Sequence, residues 1–453
     1  MSPTTVIAIF DIGKTNKKFF LFDEQYRIVL ERTVQFEEIC DEDGFVCEDL
    51  FQISRWIRRT IAEIIDCSEF EVQACNFSAY GASLVHIDEK GNPVTPLYNY
   101  LKPYPKSLQE KLYEAYGGED VVALATASPV LGNLNSGMQL IRIKYGSVAL
   151  YNRIHISLHL PQYISYLLTG KLYSEITSIG CHTALWDFSK NAYHDWVVKE
   201  NIISKLPPIH ETDEVIEITV NGKWIKSGLG LHDSSAALVP YLLRFKEPFI
   251  LLSTGTWSIS LNPFNREPLT VGELRQDCLS YISFEGHPVK ASRLFAGNEH
   301  EQEVKRLADY FSVDTHYYKQ VVFNKSLLKE IVSETETGSV EVGLPSSGFS
   351  KRELGQFSNY EEAYHRLVLD IMRQQKLSTS LVMGREKVSR IFVDGGFANN
   401  SVYMSLLAAA FPGKKVYASF VSQASAIGAA LVIHGHWNRQ GVPDNLVHLV
   451  RYH

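Results

Sequence analysis

Two stretches about 240 residues apart read alike, and that likeness constrains the fold more than any other feature of the chain. Val6–Phe10 is a β-branched and aromatic run that ends in Asp11-Ile12-Gly13-Lys14-Thr15-Asn16; the apolar pattern resumes over Lys18–Phe22 and stops at Asp23. Pro248–Leu252 is a second buried-strand run that ends in Ser253-Thr254-Gly255-Thr256-Trp257-Ser258 and resumes over Ile259–Leu261. Each is a strand, a small polar turn with glycine, and a strand. Two halves that open alike predict an internal duplication. The boundary falls near Arg244–Pro248, where charges and a proline interrupt the pattern, giving domains 1–244 and 245–453.

The rest of the chain alternates helices and strands. Asp49–Ile65 carries Leu50, Ile53, Ile57, Ile61 and Ile64 at helical spacing behind Asp49 as N-cap. Gln73–Ser78 and Ser83–Asp88 read as strands and Tyr98–Tyr104 as an aromatic, proline-rich loop. Tyr151–Leu168 is expected to hold a helix stopped by Thr169-Gly170. In the second half, a helix over Tyr360–Val382 precedes the strand Arg390–Val393, which ends in Asp394-Gly395-Gly396-Phe397-Ala398-Asn399-Asn400. A helix over Ser401–Phe411 and a strand over Lys415–Ala418 follow. The last motif is a small-residue helix, Gln423-Ala424-Ser425-Ala426-Ile427-Gly428-Ala429-Ala430, whose composition permits close backbone approach.

Composition excludes several classes. With 453 residues, 45% hydrophobic and 21% charged, the chain has a globular balance, and a net charge of −7 with no basic block gives no field for nucleic acid. The six cysteines form no CxxC pair and read as reduced thiols, which points to a cytoplasmic location. The N-terminus reads as a first strand rather than a signal peptide, and no apolar run is long enough for a membrane span.

The turns suggest chemistry. Glycine at a hairpin tip lets backbone N–H groups face a ligand, while Thr15, Asn16, Thr254 and Thr256 add donors and Lys14, Lys17 and Lys18 add positive charge. Two such tips facing each other suit a polyphosphate; a plain hairpin with a polar turn is the alternative. Asp11 ends a buried strand, where Mg²⁺ held directly or through water would justify a carboxylate. In Gly230-Leu231-His232-Asp233-Ser234-Ser235, Asp233 read alone is first a helix N-cap and second a carboxylate that accepts a hydroxyl proton. Neither GxGxxG nor GxxxxGK[ST] occurs. His155 and His159 stand four apart without the glutamate of a zinc-protease helix, and Glu299-His300-Glu301 reads as an exposed polar stretch.

In order and spacing these segments resemble the FGGY carbohydrate kinases, within the actin- and hexokinase-containing fold superfamily. Asp11–Asn16 resembles the first phosphate loop, Gly230–Ala236 the catalytic segment, Leu252–Ser258 the second phosphate loop, Asp394–Asn399 the adenosine segment and Gln423–Ala430 the closing helix. The resemblance runs from about residue 6 to about residue 432. It implies an α/β fold of two RNase H-like (actin-like ATPase) domains with a deep interdomain cleft, the first binding sugar and the second nucleotide.

The resemblance also implies roles. Asp233 is the catalytic carboxylate, and Asp11 with Asp233 handles Mg²⁺. ATP and its phosphates fall to Gly13, Lys14, Thr15, Asn16, Lys18, Thr254, Gly255, Thr256, Gln302, Gly395, Gly396 and Asn399. The sugar falls to Tyr80, Gly81, Ala82, His232, Asp233 and Ser234. Gly255-Thr256-Trp257-Ser258 and His232-Asp233 look most like rhamnulokinases and fuculokinases, implying an ATP- and Mg²⁺-dependent kinase for a ketose such as L-rhamnulose or L-fuculose. A polyol kinase of the glycerol or erythritol type and a non-catalytic ATP-binding regulator are the alternatives. A small-molecule sugar is the implied partner, with a homodimer allowed and neither nucleic acid nor membrane expected. The sequence departs from the family at Ala79-Tyr80-Gly81-Ala82, at Tyr100-Leu101-Lys102, at Glu175 and at Lys14, chiefly on the sugar side.

Overall fold

The computed structural model describes residues 2–81, 83–328, 347–421 and 423–453. The chain forms two compact units: Met1–Arg244 with Ser280–Pro288 and Ser422–Leu446, and Phe245–Leu279 with Val289–Val421 and Val447–His453. Two short pieces from beyond residue 244 therefore belong to the first unit. Among the described residues no helix is long and apolar enough to cross a membrane.

In the first unit the strand Thr4–Ile12 is central, and Val6 to Phe10 are fully buried. It pairs antiparallel with Lys17–Asp23, which pairs with Ile28–Val34. On its other side it runs parallel to Phe70–Ala79, and that strand runs parallel to the short Leu231–His232. The helix Leu50–Asp66 buries Leu50, Ile53, Ile57, Ile61 and Ile64, and the Asp49 side chain accepts from the N–H groups of Phe51 and Gln52. That cap contributes about 1 kcal/mol.

The second unit repeats the arrangement. Phe249–Thr254 pairs antiparallel with Ser258–Asn262 and parallel with Arg390–Gly395, which pairs in turn with Lys415–Phe420. The helix Tyr360–Leu381 packs in the core of this unit through Tyr364, Leu367, Val368 and Ile371.

One expected element differs. Within Tyr151–Leu168 the residues Ile156–His159 form a strand antiparallel to Leu84–Ile87, and the helix starts only at Leu160. Pro161 fixes that start, since a residue without N–H belongs in the first turn, and Gly170 ends the helix at φ 63°.

Candidate active site

Register sets the first unit's site. Asp11 lies opposite Ser78 in the parallel pair, and His232 lies opposite Ala79. The three parallel strands therefore finish together, which places Asp11 and Asp233 at their carboxyl ends, where open α/β sheets bind ligands. Asp233 opens the helix Asp233–Arg244. Its Oδ1 accepts from the Ser234 N–H at 2.6 Å and lies 3.2 Å from His232 Nε2.

Both carboxyls are poorly solvated. Burial lifts the Asp11 pKa to about 6, helped by the charge of Asp233 and opposed by Ser425 and Lys18. Burial likewise raises Asp233 to about 6, against the hydrogen bonds of Ser234. The Asp233 side chain keeps 36% of its surface open, so solvent screens part of that shift. Ser425 Oγ donates to Asp11 Oδ2 at 2.8 Å, and Lys18 Nζ donates to Gln423 Oε1 at 3.0 Å. Ser425 arrives on the helix Ala424–Val432, which crosses Asp233–Arg244 at Gly428: a Cβ there would stand 1.9 Å from the Ala236 carbonyl oxygen.

Gly81 adjoins the His232–Asp233 pair. A Cβ on it would lie 2.9 Å from His232 Nε2 and 3.2 Å from Cys181 Sγ. Burial drops the His232 pKa to about 4, so the ring is neutral at pH 7. Ala82 lies outside the described residues. Tyr80 is buried and its hydroxyl donates to Glu48 Oε2, while Lys17 pairs with Glu48 Oε1. Lys14 turns to Glu38 at 2.8 Å and stands 3.7 Å from Glu48. This acid-and-lysine knot, with Glu48 at its centre, has no sequence signal. Thr15 and Asn16 are exposed, and the Gly13 N–H closes the turn onto the Asn16 carbonyl at 3.0 Å.

The departures from the family pattern have structural partners. Lys102 is buried against Asp41 and Asp43, each at 2.6 Å. Glu175 caps a short helix, accepting from the N–H groups of Thr177 and Ser178 and from the Thr212 hydroxyl at 2.6 Å.

In the second unit the glycines mark contacts between loops. A Cβ on Gly297 would stand 1.7 Å from the Gly255 carbonyl oxygen, and one on Gly395 (φ +86°) 1.9 Å from the Thr254 carbonyl oxygen. Thr254 Oγ1 donates to the Asp394 carbonyl at 2.5 Å and accepts from the Phe397 N–H at 3.1 Å, so its hydroxyl ties two loops together. Gly255 and Thr256 are exposed at the tip. Beside them lies a cavity of about 850 Å³ lined by Gly255, Gly297, His300, Tyr318, Gly396, Phe397 and Asn399 among others. His300 is buried and neutral, its pKa lowered to about 4 by burial, and meets Phe397 edge-on at 5.2 Å. The polar stretch around it is therefore not exposed throughout. Gln302 is exposed and absent from the cavity lining, because the face presented there runs Gly297, His300, Glu301, Val304 and Lys305 at helical spacing.

These residues fit the groups the resemblance implies. Two desolvated carboxyls, with the charge of Asp233 adding to the rise at Asp11, suit a divalent cation. A cavity of this size, with glycine backbone on one wall and aromatic rings on another, suits a nucleoside.

Comparison with known proteins agrees with the fold. Residues 6–238 match the model of the FGGY family of carbohydrate kinases, N-terminal domain, and residues 246–441 match carbohydrate kinase FGGY, C-terminal domain. A rhamnulokinase of Oceanobacillus iheyensis is 23% identical over 265 residues, 55% of this chain and 54% of that protein. A rhamnulokinase of Halalkalibacterium halodurans is 23% identical over 266 residues, again 55% and 54%. The chain thus spans about half the length of the curated relatives it matches. A carbohydrate kinase from Novosphingobium aromaticivorans superposes with a TM-score of 0.80 at 22% identity, covering 99% of this chain and 94% of that one. Xylulose kinase from Rhodospirillum rubrum gives 0.79 at 17%, covering 99% and 94%. With both halves of the chain accounted for in order, the protein belongs to the FGGY family of carbohydrate kinases.

Proposed function

We propose that this protein is a sugar kinase that transfers the γ-phosphoryl group of Mg-ATP to a hydroxyl of a ketose, with L-rhamnulose and L-fuculose the leading candidates. The observation that carries the reading is the Asp11–Asp233 pair at the carboxyl ends of the first unit's parallel strands, both with pKa raised to about 6. The rhamnulokinase relatives favour a deoxy ketose.

Asp233 receives the proton of the attacking hydroxyl. The hydroxyl oxygen bonds to the γ-phosphorus, the bond from that phosphorus to the β–γ bridging oxygen breaks, and ADP leaves. Positioning matters more than base strength in such transfers, and a carboxylate near pKa 6 is ionised at pH 7 yet able to hold the proton. His232, neutral and 3.2 Å from Asp233, fixes the carboxylate and faces the sugar beside Gly81. Ser234 holds Asp233 through its N–H. Asp11, oriented by Ser425, together with Asp233 would hold Mg²⁺, which neutralises phosphate charge when bound. In the second unit, Gly255, Thr256 and Gly396 present the phosphate-side backbone, and His300, Phe397 and Asn399 line the nucleoside cavity.

The test is ADP release from Mg-ATP across L- and D-ketoses, their deoxy forms and polyols. The expected result is one strong ketose acceptor and a fall in kcat of about 10³-fold or more in Asp233→Asn, with ATP binding kept. A glycerol or erythritol acceptor would make it a polyol kinase. Retained turnover in Asp233→Asn overturns the assignment, and ATP binding without any acceptor points to a nucleotide-binding regulator.

A further inference from the structure

Beside Asp233 the first unit gathers three soft-metal ligands that the kinase reading does not use as a set. Cys181, His182 and His232 each offer one ligand atom, and the three atoms lie within 4.8 Å of one another. All are buried, at 1%, 8% and 3% exposure. Such a trio is neither exposed nor acidic, so it differs from a patch that gathers cations loosely.

The imidazoles are set for ligation. The Leu134 carbonyl stands 3.2 Å from His182 Nδ1 and accepts its N–H, which holds the ring in place. Asp233 Oδ1 stands 3.2 Å from His232 Nε2; with that N–H given to the carboxylate, the lone pair falls on Nδ1, which is buried without a partner among the described residues. A ring oriented by an outer acceptor is the usual state of a metal-binding histidine. Gly81 keeps Cys181 and His232 from being wedged apart, since a Cβ there would lie 2.9 Å from His232 Nε2 and 3.2 Å from Cys181 Sγ. Ligand atoms around tetrahedral zinc sit roughly 3.3–3.6 Å apart, so the trio needs only about 1 Å of side-chain closure.

We propose that Cys181, His182 and His232 form a binding site for a soft divalent cation of the Zn²⁺ class, and that its occupancy shuts the enzyme. Binding exchanges the Cys181 thiol proton, now directed at the Ser178 carbonyl at 3.2 Å, for a sulfur–metal bond, and that proton passes to solvent. The bound ion fixes His232 and, through it, Asp233. The inhibitory half rests on the kinase reading of Asp233, whereas the binding half does not.

Cobalt tests the two halves separately. The reduced, chelator-treated protein is titrated with Co²⁺ in the absence of nucleotide and sugar. The expected result is a 1:1 complex with tetrahedral bands in the visible and a thiolate-to-cobalt band in the near ultraviolet. Zn²⁺ should displace it. Cys181→Ser should abolish the thiolate band and His182→Ala should weaken binding by at least ~10–100-fold, while Cys40→Ser, at an exposed thiol, leaves the spectrum unchanged. The wild-type spectrum alone decides if a variant fails to fold: no 1:1 complex overturns the site, as does a thiolate band that survives Cys181→Ser. Given a complex, Zn²⁺ at one equivalent should suppress ADP release in the wild type and much less in Cys181→Ser. Full turnover with zinc bound overturns the inhibitory half.

Discussion

At the scale of single residues, the first unit's site is built as much from a missing side chain as from those present. Gly81 has no φ constraint that demands glycine; what excludes a larger residue is His232 Nε2 at 2.9 Å and Cys181 Sγ at 3.2 Å from the position a Cβ would take. Gly81→Ala forces the imidazole away from Asp233, since Cys181 is buried and cannot yield easily. The expected outcome is a rise in the sugar KM and a fall of about 10–100-fold in kcat/KM, with the ATP KM unchanged, measured by steady-state kinetics in both substrates. An unchanged sugar KM would mean that the His232 ring is not part of the acceptor pocket. Legibility differs sharply among these residues. Asp11, Gly13 and Asp233 stand in recognisable turns, so the segments announce themselves. Glu48, which joins Tyr80 to Lys17, and Cys181 and His182 carry no local pattern, because their importance comes from pairing over long sequence separations.

At the scale of elements, the site depends on how closely two helices cross. The helix Ala424–Val432 reaches Asp233–Arg244 at Gly428, whose missing side chain leaves room for the Ala236 carbonyl, and it thereby delivers Ser425 to Asp11. The obstacle to any Cβ is backbone, which cannot rotate away. Gly428→Ala should therefore destabilise by about 1–3 kcal/mol and lower activity as well, since Ser425 moves with its helix. Gly435→Ala, where a Cβ meets nothing within 4 Å, is the matched control and should change neither. Thermal melts and kcat on the two variants check this; equal melting points would show that the crossing relaxes. The small-residue character of this helix is readable from its composition, but its membership of the first unit is not, since it follows most of the second unit in sequence. The same limit explains Tyr151–Leu168: four residues of it, Ile156–His159, are recruited as a strand by Leu84–Ile87, a partner that local periodicity cannot see. Gln302 lies outside the cavity lining for a different reason: the phase of the helix Ala296–Phe311 relative to the cavity is set where Gly297 meets the Gly255 loop, a contact that local sequence does not carry.

At the scale of the whole molecule, buried titratable groups set the response to acid, and two sets oppose each other. Burial lowers His86 and His159 to about 3 and His232 to about 4 in the first unit, and His300 to about 4 in the second. Between pH 6.5 and those values the unfolded chain binds protons that the native rings refuse, so stability present above pH 6.5 is lost as pH falls; each such imidazole costs about 2 kcal/mol by pH 5. Asp11 and Asp233, raised to about 6, act the other way: the native state keeps protons that the unfolded chain releases between pH 6 and pH 4, so acid relieves them. Both carboxyls are partly exposed, which leaves each worth about 1 kcal/mol after screening, less than one imidazole. The histidines therefore win, and urea unfolding should give a midpoint that falls continuously from pH 7 to pH 5. Activity should fail over the same range by a separate route. In the proposed mechanism, protonating Asp233 removes the group that accepts the hydroxyl proton, so kcat/KM should drop about tenfold per pH unit below pH 6, and this loss should reverse at once on returning to pH 7. The two processes separate in Asp233→Asn. That variant should melt higher than the wild type at pH 7, where the native carboxylate is under strain, and its stability should fall more steeply with acid, because one opposing proton has been removed. A variant no more stable than the wild type at pH 7 would mean that solvent screens the Asp233 carboxylate almost completely.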